Sequence, residues 1–134
     1  MKKTILQLTQ YLYIISLVVL LILYFFPGSL IGYLLYGSFD IQPDIITNPI
    51  GTSINHAFAF FYLSFLGFIC SAEDKILKQR IFFLLLISIF CELTHIFIPK
   101  RSFQYLDLFA NFFGILLAIF IIVIYKKYKK TYNT

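Results

Sequence analysis

The side chains that could do chemistry lie mostly in one short stretch, residues 92–114, of a chain that is otherwise largely apolar. A carboxylate and an imidazole in this stretch could transfer protons, and an arginine could hold a phosphate or carboxylate through its planar fork. We therefore predict Glu92 and His95 as acid/base candidates. The predicted binding residues are His56, Arg101, Ser102, Asp107 and Asn111.

The spacing of these residues predicts two polar helix faces. Glu92 and His95 are three residues apart, and Asp107 and Asn111 are four apart, so each pair shares one face of a helix. An ionisable group near the centre of a membrane costs about 2.5–3.5 kcal/mol on insertion scales and should face the interior beside a partner. We therefore expect the two faces to converge, with Arg101 as the counter-charge of Asp107 or Glu92.

Each candidate also has a purely structural interpretation. Asp107 could interact favourably with a helix N-terminus, and Asn111 could form a hydrogen bond between helices. His56 could be an amphipathic residue at a membrane interface. Glu92 could form a structural ion pair with His95 or Arg101, because buried pairs can be kept for geometry rather than for net stability. The residue types alone leave these alternatives open.

A metal site is a further alternative for the same residues. Glu-x-x-His motifs occur in metal-binding helix bundles, and His56 with Asp107 could complete a set of four ligands around Glu92 and His95. The motif occurs once, and the zinc-protease pattern with two histidines on one helix is missing from the sequence. The sequence therefore predicts neither a bound metal nor a cofactor.

The elements that must position these residues belong to a membrane protein. The 134 residues are sufficient for one domain, 1–134, and a composition that is 60% hydrophobic and 13% charged lies outside the soluble globular range. The net charge is +5, but the basic residues stand in short runs beside apolar segments, which indicates topology signals rather than a nucleic-acid-binding face. Cys70 and Cys91 lie inside apolar segments and are interpreted as buried, inert thiols.

The hydropathy pattern predicts an all-α bundle of four transmembrane helices. Segment 27–53 carries too many glycines and prolines for a span and is predicted as a long outer loop, whose apolar first part could form a short helix or a hairpin. Residues 73–80 are predicted as a compact charged turn, and Pro99 as the end of the third span. The four spans are predicted at about 5–26, 55–71, 81–98 and 105–125.

The distribution of lysine and arginine predicts the orientation in the membrane. With the N-terminus inside, the inner segments hold nine of these residues and the outer loops hold two, Lys100 and Arg101. An excess of basic residues marks the cytoplasmic side. Both termini are therefore expected in the cytoplasm, and the polar stretch is expected at the outer face of the cytoplasmic membrane.

The motif from Arg101 to Gly114 resembles the VanZ-like family of small bacterial membrane proteins, named after a member associated with teicoplanin resistance. The similar features are Arg101-Ser102-x-x-x-x-Asp107-x-x-x-Asn111-x-x-Gly114, an early His56 followed by aromatic residues, and Glu92 late in the next helix. The resemblance covers about residues 50 to 125. It implies a multi-pass helical plan and a role in the cell envelope or in antibiotic resistance.

The chain departs from the family pattern at three places. Thr52 and Ser53 stand where an Asp-Lys pair is common, His95 where glutamine is usual, and Gln104 where an acidic residue is usual. We therefore expect this chain to differ from its relatives chiefly at His95.

Three functions are compatible with these features. The first is binding of an anionic lipid headgroup or a lipid-linked cell-wall precursor at the outer polar site. The second is an intramembrane hydrolase or transferase that acts on a lipid-linked phosphate, with Glu92 and His95 in proton transfer. The third is a structural membrane subunit that uses its polar faces only for packing. The expected partners are membrane lipids or envelope precursors, and not nucleic acid.

Overall fold

The computed structural model describes residues 2–44, 46, 51–71 and 73–132, and these residues form helices and connecting segments without any strand. The prediction of an all-α fold is therefore confirmed. The helices are α1 (Lys2–Phe25), α2 (Leu30–Tyr36), α3 (Ser53–Ile69), α4 (Asp74–Thr94) and α5 (Tyr105–Tyr132).

Four long helices, α1, α3, α4 and α5, pack against one another in alternating directions. At one end, which we call the basic end, Lys126 on α5 contacts Asp74 on α4 at 2.8 Å, and Arg80 donates a hydrogen bond of 2.7 Å to Gln10 on α1. At the opposite end lie the last turn of α1, the first turn of α3, the last turn of α4 and the first turn of α5, together with α2. We call this the loop end, and it contains the predicted polar residues.

The closest pair of helices is α3 and α5. Gly114 on α5 lies directly against the α3 backbone, where a Cβ atom would overlap the carbonyl oxygen of Ala57 and lie 2.8 Å from the amide nitrogen of Phe61. Small residues permit such close approach of two backbones in membrane bundles. Gly114 therefore fixes the distance between the two helices that carry His56 and Asp107.

The bundle buries an apolar core together with several polar side chains, and it exposes many large apolar side chains. Two helical segments, Lys3–Phe25 and Tyr105–Lys129, are long and apolar enough to cross a membrane, and α3 is a shorter apolar helix. Exposed apolar area this extensive is rare on soluble monomers. Fully buried polar residues are Ser64, Ser88, Glu92 and Asn111, whereas the exposed side of α5 carries Phe109, Phe113, Leu116 and Phe120.

The boundaries of α4 differ from the sequence prediction at both ends. The charged segment 73–80 is not a turn: the helix begins at Asp74, whose carboxylate suits a helix N-terminus, and continues through lysines and an arginine with good helix propensity. The helix ends at Thr94 instead of continuing to residue 98. Proline disfavours helical geometry in the residue before it, so the chain leaves the helix ahead of Pro99. It continues in turns, one of which is closed by a 2.9 Å hydrogen bond from Phe97 N–H to Thr94 O.

The other helix boundaries lie close to the predicted ones, except at the C-terminus. Helix α3 covers Ser53–Ile69 where 55–71 was predicted, and α5 extends to Tyr132 because the basic tail continues the helix. Of the predicted loop 27–53, residues 45 and 47–50 lie outside the described part of the chain.

The apolar first part of that loop forms the short helix α2. Its N-cap is Ser29, whose hydroxyl accepts a 2.9 Å hydrogen bond from the Gly32 amide, and it ends at Gly37 in the left-handed conformation. The following segment returns over α2, with the Tyr33 and Phe39 rings stacked at 4.2 Å. Helix α2 and this segment line one cavity together with the ends of α1 and α3.

Candidate functional site

Tyr24, on the last turns of α1, is the centre of the polar cluster at the loop end. Its hydroxyl lies 2.6 Å from His56 Nδ1 and donates a 3.0 Å hydrogen bond to Asn111 Oδ1. Its ring stacks on the ring of His95 with centroids 5.3 Å apart. One buried side chain of α1 therefore contacts residues on α3 and α5 and the residue that follows α4.

Asp107 connects the first turns of α3 and α5. Its Oδ1 atom accepts a 2.5 Å hydrogen bond from the Ser53 hydroxyl, and its Oδ2 atom lies 3.5 Å from His56 Nε2. Asp107 and His56 are both buried. Because the carboxylate has partners on another helix, Asp107 does more than interact with the N-terminus of its own helix.

Glu92 is the most deeply buried charged residue of the cluster, with 0% of its surface exposed. Its Oε1 atom accepts a 2.9 Å hydrogen bond from the Gln104 amide, which ties the turn after α4 to the helix itself. Its Oε2 atom lies 3.5 Å from His95 Nδ1 but forms no hydrogen bond within the described structure. A buried acceptor without a partner is costly, so Oε2 marks an incomplete part of the site.

Arg101 is held by backbone carbonyls and not by a carboxylate. Its Nη2 atom donates to Leu23 O at 2.9 Å, and its Nε atom donates to Phe26 O at 3.4 Å, both at the end of α1. Burial lowers the pKa of the Arg101 guanidinium from its usual value. Among the described residues no carboxylate lies within ion-pair distance of it, so the predicted pairing with Asp107 or Glu92 is wrong.

A cavity of about 390 Å³ opens beside the cluster, between α2 with its following segment and the ends of α1 and α3. Its polar wall includes Tyr24, His56, His95 and Arg101, and the exposed Asp44 also lines it. The remaining wall is mostly apolar. Apolar lining residues are Leu23, Leu30, Ile31, Leu35, Pro43 and Ala59. A concave, largely apolar space with a few convergent polar groups is the usual form of a ligand site.

An apolar groove of about 280 Å³ lies next to the cavity, between α1 and α3. It shares Leu23, Tyr24 and Ala59 with the cavity and continues toward the basic end along Val19 and Tyr62. The polar wall of the cavity at the loop end is therefore close to apolar space along the helices.

The structure brings most of the predicted site residues together in two layers. Arg101, His56 and His95 line the cavity, whereas Glu92, Asp107 and Asn111 do not line it and are joined to it through Tyr24, His56 and His95. Two neighbouring polar residues lie apart from the cluster. Ser102 is exposed on the turn, and Lys100 contacts Asp40 at 2.9 Å with both side chains largely exposed.

Two residues of the site were not predicted from the sequence. Tyr24 lies eleven residues after Tyr13, which is about three turns of α-helix, so the two tyrosines share one face of α1. Both are buried, so this face points inward. That spacing could have indicated Tyr24. Ser53 had no such signal, because its partner Asp107 is 54 positions away in the chain.

Comparisons of the chain with protein-family models, with curated proteins and with solved structures gave no match.

Proposed function

We propose that this chain is a multi-pass bacterial membrane protein of VanZ-like type that binds the anionic headgroup of a lipid, or of a lipid-linked cell-wall precursor, in the cavity at the loop end. All four long helices cross the cytoplasmic membrane, and the basic end faces the cytoplasm. The excess of lysine and arginine at that end supports this orientation. The cavity is then open toward the outer face.

The observation that carries the proposal is a guanidinium without a carboxylate partner beside an open cavity. Arg101 uses Nη2 and Nε for the α1 carbonyls, and no hydrogen bond from Nη1 is found among the described residues. A carbonyl accepts a hydrogen bond but does not neutralise a positive charge. A phosphate in the cavity would supply that charge and would accept a charge-assisted hydrogen bond from the fork.

The adjacent groove supports a lipid rather than a free anion as the ligand. A lipid-linked phosphate has a charged head and a hydrocarbon tail, and the chain offers a polar wall with Arg101 next to an apolar groove between α1 and α3. The head would contact Arg101, His56 and His95, and the tail would follow the groove along Val19 and Tyr62. Both parts of such a ligand would be buried at once.

Lipid retention by the purified full-length chain tests this proposal. Native mass spectrometry of the protein from mixed micelles should show retention of phosphatidylglycerol, or of a polyprenyl phosphate, over phosphatidylcholine with the same acyl chains. Arg101→Gln should reduce the preference roughly tenfold or more, because a hydrogen bond to a charged group contributes about 1.5–3 kcal/mol. Lys100→Gln is the matched control, since Lys100 is the adjacent cation but is exposed and contacts Asp40.

The outcomes of this experiment separate the proposal from a general charge effect. Equal losses in the Arg101 and Lys100 variants would show that the preference comes from overall surface charge and not from the cavity. An Arg101→Gln variant that melts at the wild-type temperature and keeps the full preference would contradict the proposal. Arg101→Lys keeps the charge without the planar fork and should retain part of the preference.

A second candidate function, hydrolysis or transfer of a lipid-linked phosphate, is favoured by His95. Its ring lines the cavity, its Nδ1 atom lies 3.5 Å from Glu92 Oε2, and its Nε2 atom is buried without a hydrogen-bond partner. A histidine oriented by a carboxylate is a usual general base. In a turnover assay with a polyprenyl diphosphate, Glu92→Gln should abolish phosphate release while lipid retention persists, and unchanged release would exclude this role for Glu92.

A further inference from the structure

Three buried side chains from three helices direct one atom each toward a common space at the loop end. One nitrogen or oxygen atom from each of His56 on α3, Glu92 on α4 and Asp107 on α5 lies within 4.8 Å of the other two. His56 Nε2 lies 3.5 Å from Asp107 Oδ2. All three side chains are buried, with 6%, 0% and 3% of their surfaces exposed, respectively.

His56 is bound through Nδ1, and its Nε2 atom faces Asp107. The Tyr24 hydroxyl lies 2.6 Å from His56 Nδ1 and 3.0 Å from Asn111 Oδ1, so Nδ1 has a hydrogen-bond partner. In a neutral imidazole whose proton is on Nδ1, Nε2 is an acceptor. In that tautomer the Nε2 lone pair can bind a cation beside Asp107 Oδ2, 3.5 Å away.

Each of the two carboxylates has one oxygen that accepts a hydrogen bond and one oxygen that lies 3.5 Å from a histidine nitrogen. Asp107 Oδ1 accepts from the Ser53 hydroxyl, and Glu92 Oε1 accepts from the Gln104 amide. The other oxygen of Glu92, Oε2, is buried and has no hydrogen-bond partner. Each of the three side chains is thus oriented through one atom, as the ligands of metal sites are oriented by partners that bind their other atom.

A cation among these three atoms would neutralise the two buried carboxylates, of which Glu92 otherwise has only His95 Nδ1 at 3.5 Å beside Oε2. In a tetrahedral zinc site with bonds of about 2.0–2.2 Å, ligand atoms lie roughly 3.3–3.6 Å apart. The 3.5 Å between His56 and Asp107 falls within that range, and movement of about 1 Å would bring Glu92 to the same distance. One imidazole with two carboxylates also leaves a fourth position open, as in catalytic zinc sites.

We propose that His56, Glu92 and Asp107 form a binding site for one divalent transition-metal cation such as Zn²⁺, which accepts both imidazole and carboxylate ligands. The site does not depend on the proposed binding of lipid. His56 lines the cavity and provides the route by which a cation enters. If both proposals hold, the cation lies at the inner side of the headgroup cavity, where it would attract the same phosphate as Arg101.

Metal binding by tag-free, full-length protein in detergent tests the site. After treatment with a chelator and its removal, titration with ZnCl2 followed by calorimetry and elemental analysis should give one Zn²⁺ per chain. Tyr24→Phe should weaken the affinity by roughly 10–100-fold, as loss of a partner that orients a metal ligand does. Glu92→Gln should weaken it further. Asp74→Asn, which removes an exposed carboxylate at the other end of α4, should bind as the wild type does.

Substitution of the metal gives a second measurement that does not require any variant to fold. The Co²⁺-loaded wild-type protein should show the visible absorption of a four- or five-coordinate site with nitrogen and oxygen ligands and without a thiolate band, because Cys91 is not among the three ligands. Absence of stoichiometric Zn²⁺ binding by the wild-type protein would overturn the proposal. So would equal Zn²⁺ affinity in the wild type and a folded Glu92→Gln variant, or a Co²⁺ spectrum with thiolate ligation. Lipid retention measured in the presence of chelator reports separately on the proposed function.

Discussion

Replacement of Tyr24 by phenylalanine should destabilise the protein although it removes only one oxygen atom. That oxygen makes two buried contacts, with His56 Nδ1 at 2.6 Å and with Asn111 Oδ1 at 3.0 Å, and the ring itself is retained. Hydrogen bonds between membrane helices contribute about 0.6 kcal/mol on average and up to about 1.7 kcal/mol. Two such bonds give an expected loss of roughly 1–3 kcal/mol in the free energy of unfolding.

The assay is reversible unfolding of the purified chain in mixed micelles with increasing sodium dodecyl sulphate, followed by circular dichroism. Tyr11→Phe is the matched control, because Tyr11 lies on the same helix and its side chain is 64% exposed. The control should unfold as the wild type does. If Tyr24→Phe is no less stable than Tyr11→Phe, Tyr24 does not join the helices through its hydroxyl.

Three further perturbations test the packing and the turns. Gly114→Leu should lower the free energy of unfolding by roughly 1–3 kcal/mol or more, because the new side chain would overlap the α3 backbone at Ala57. Leucine at an exposed position of α5 should not have this effect. The backbone of Lys100 is in the left-handed region, with a φ of 62°, which glycine adopts without the strain that a Cβ atom causes. Chemical unfolding should therefore show Lys100→Gly to be more stable than Lys100→Ala by about 1 kcal/mol. The hydrogen bond from Lys126 lowers the pKa of the Asp74 carboxyl. Any stability from this bond is therefore present above the unfolded-state pKa of Asp74 and is lost as the pH falls through its folded-state pKa. Melting temperatures of the wild type and of Asp74→Asn, compared over an acid pH series, measure this contribution.

The helical architecture could be predicted from the sequence because it depends on local properties of the chain. Long apolar runs and their glycine and proline boundaries predict helices directly, and α1, α3 and α5 lie close to where those runs lie. The start of α4 could not be predicted in the same way. A charged run such as 73–80 is compatible with either a turn or an exposed helix start, and of this run only Leu77 is buried in the structure.

The residue types of the site and the Glu92–His95 pair could be predicted, but the pairings between helices could not. Glu92 and Asp107 were indicated because a buried carboxylate is costly and needs partners. Which partners they have depends on how four helices cross, and Glu92 contacts a backbone amide instead of an arginine. Arg101 contacts backbone carbonyls of α1, which every residue carries and which therefore give no signal in the sequence.

The most direct test of the outward-facing lipid site is photocrosslinking with two anionic lipids, one with a diazirine in the headgroup and one with a diazirine midway along the acyl chain. The account predicts headgroup crosslinks to cavity residues such as Leu35 and Asn55, and tail crosslinks to groove residues such as Val19 and Tyr62. Crosslinks spread evenly around the bundle, with as many on the exposed Phe120 of α5 as in the groove, would contradict it.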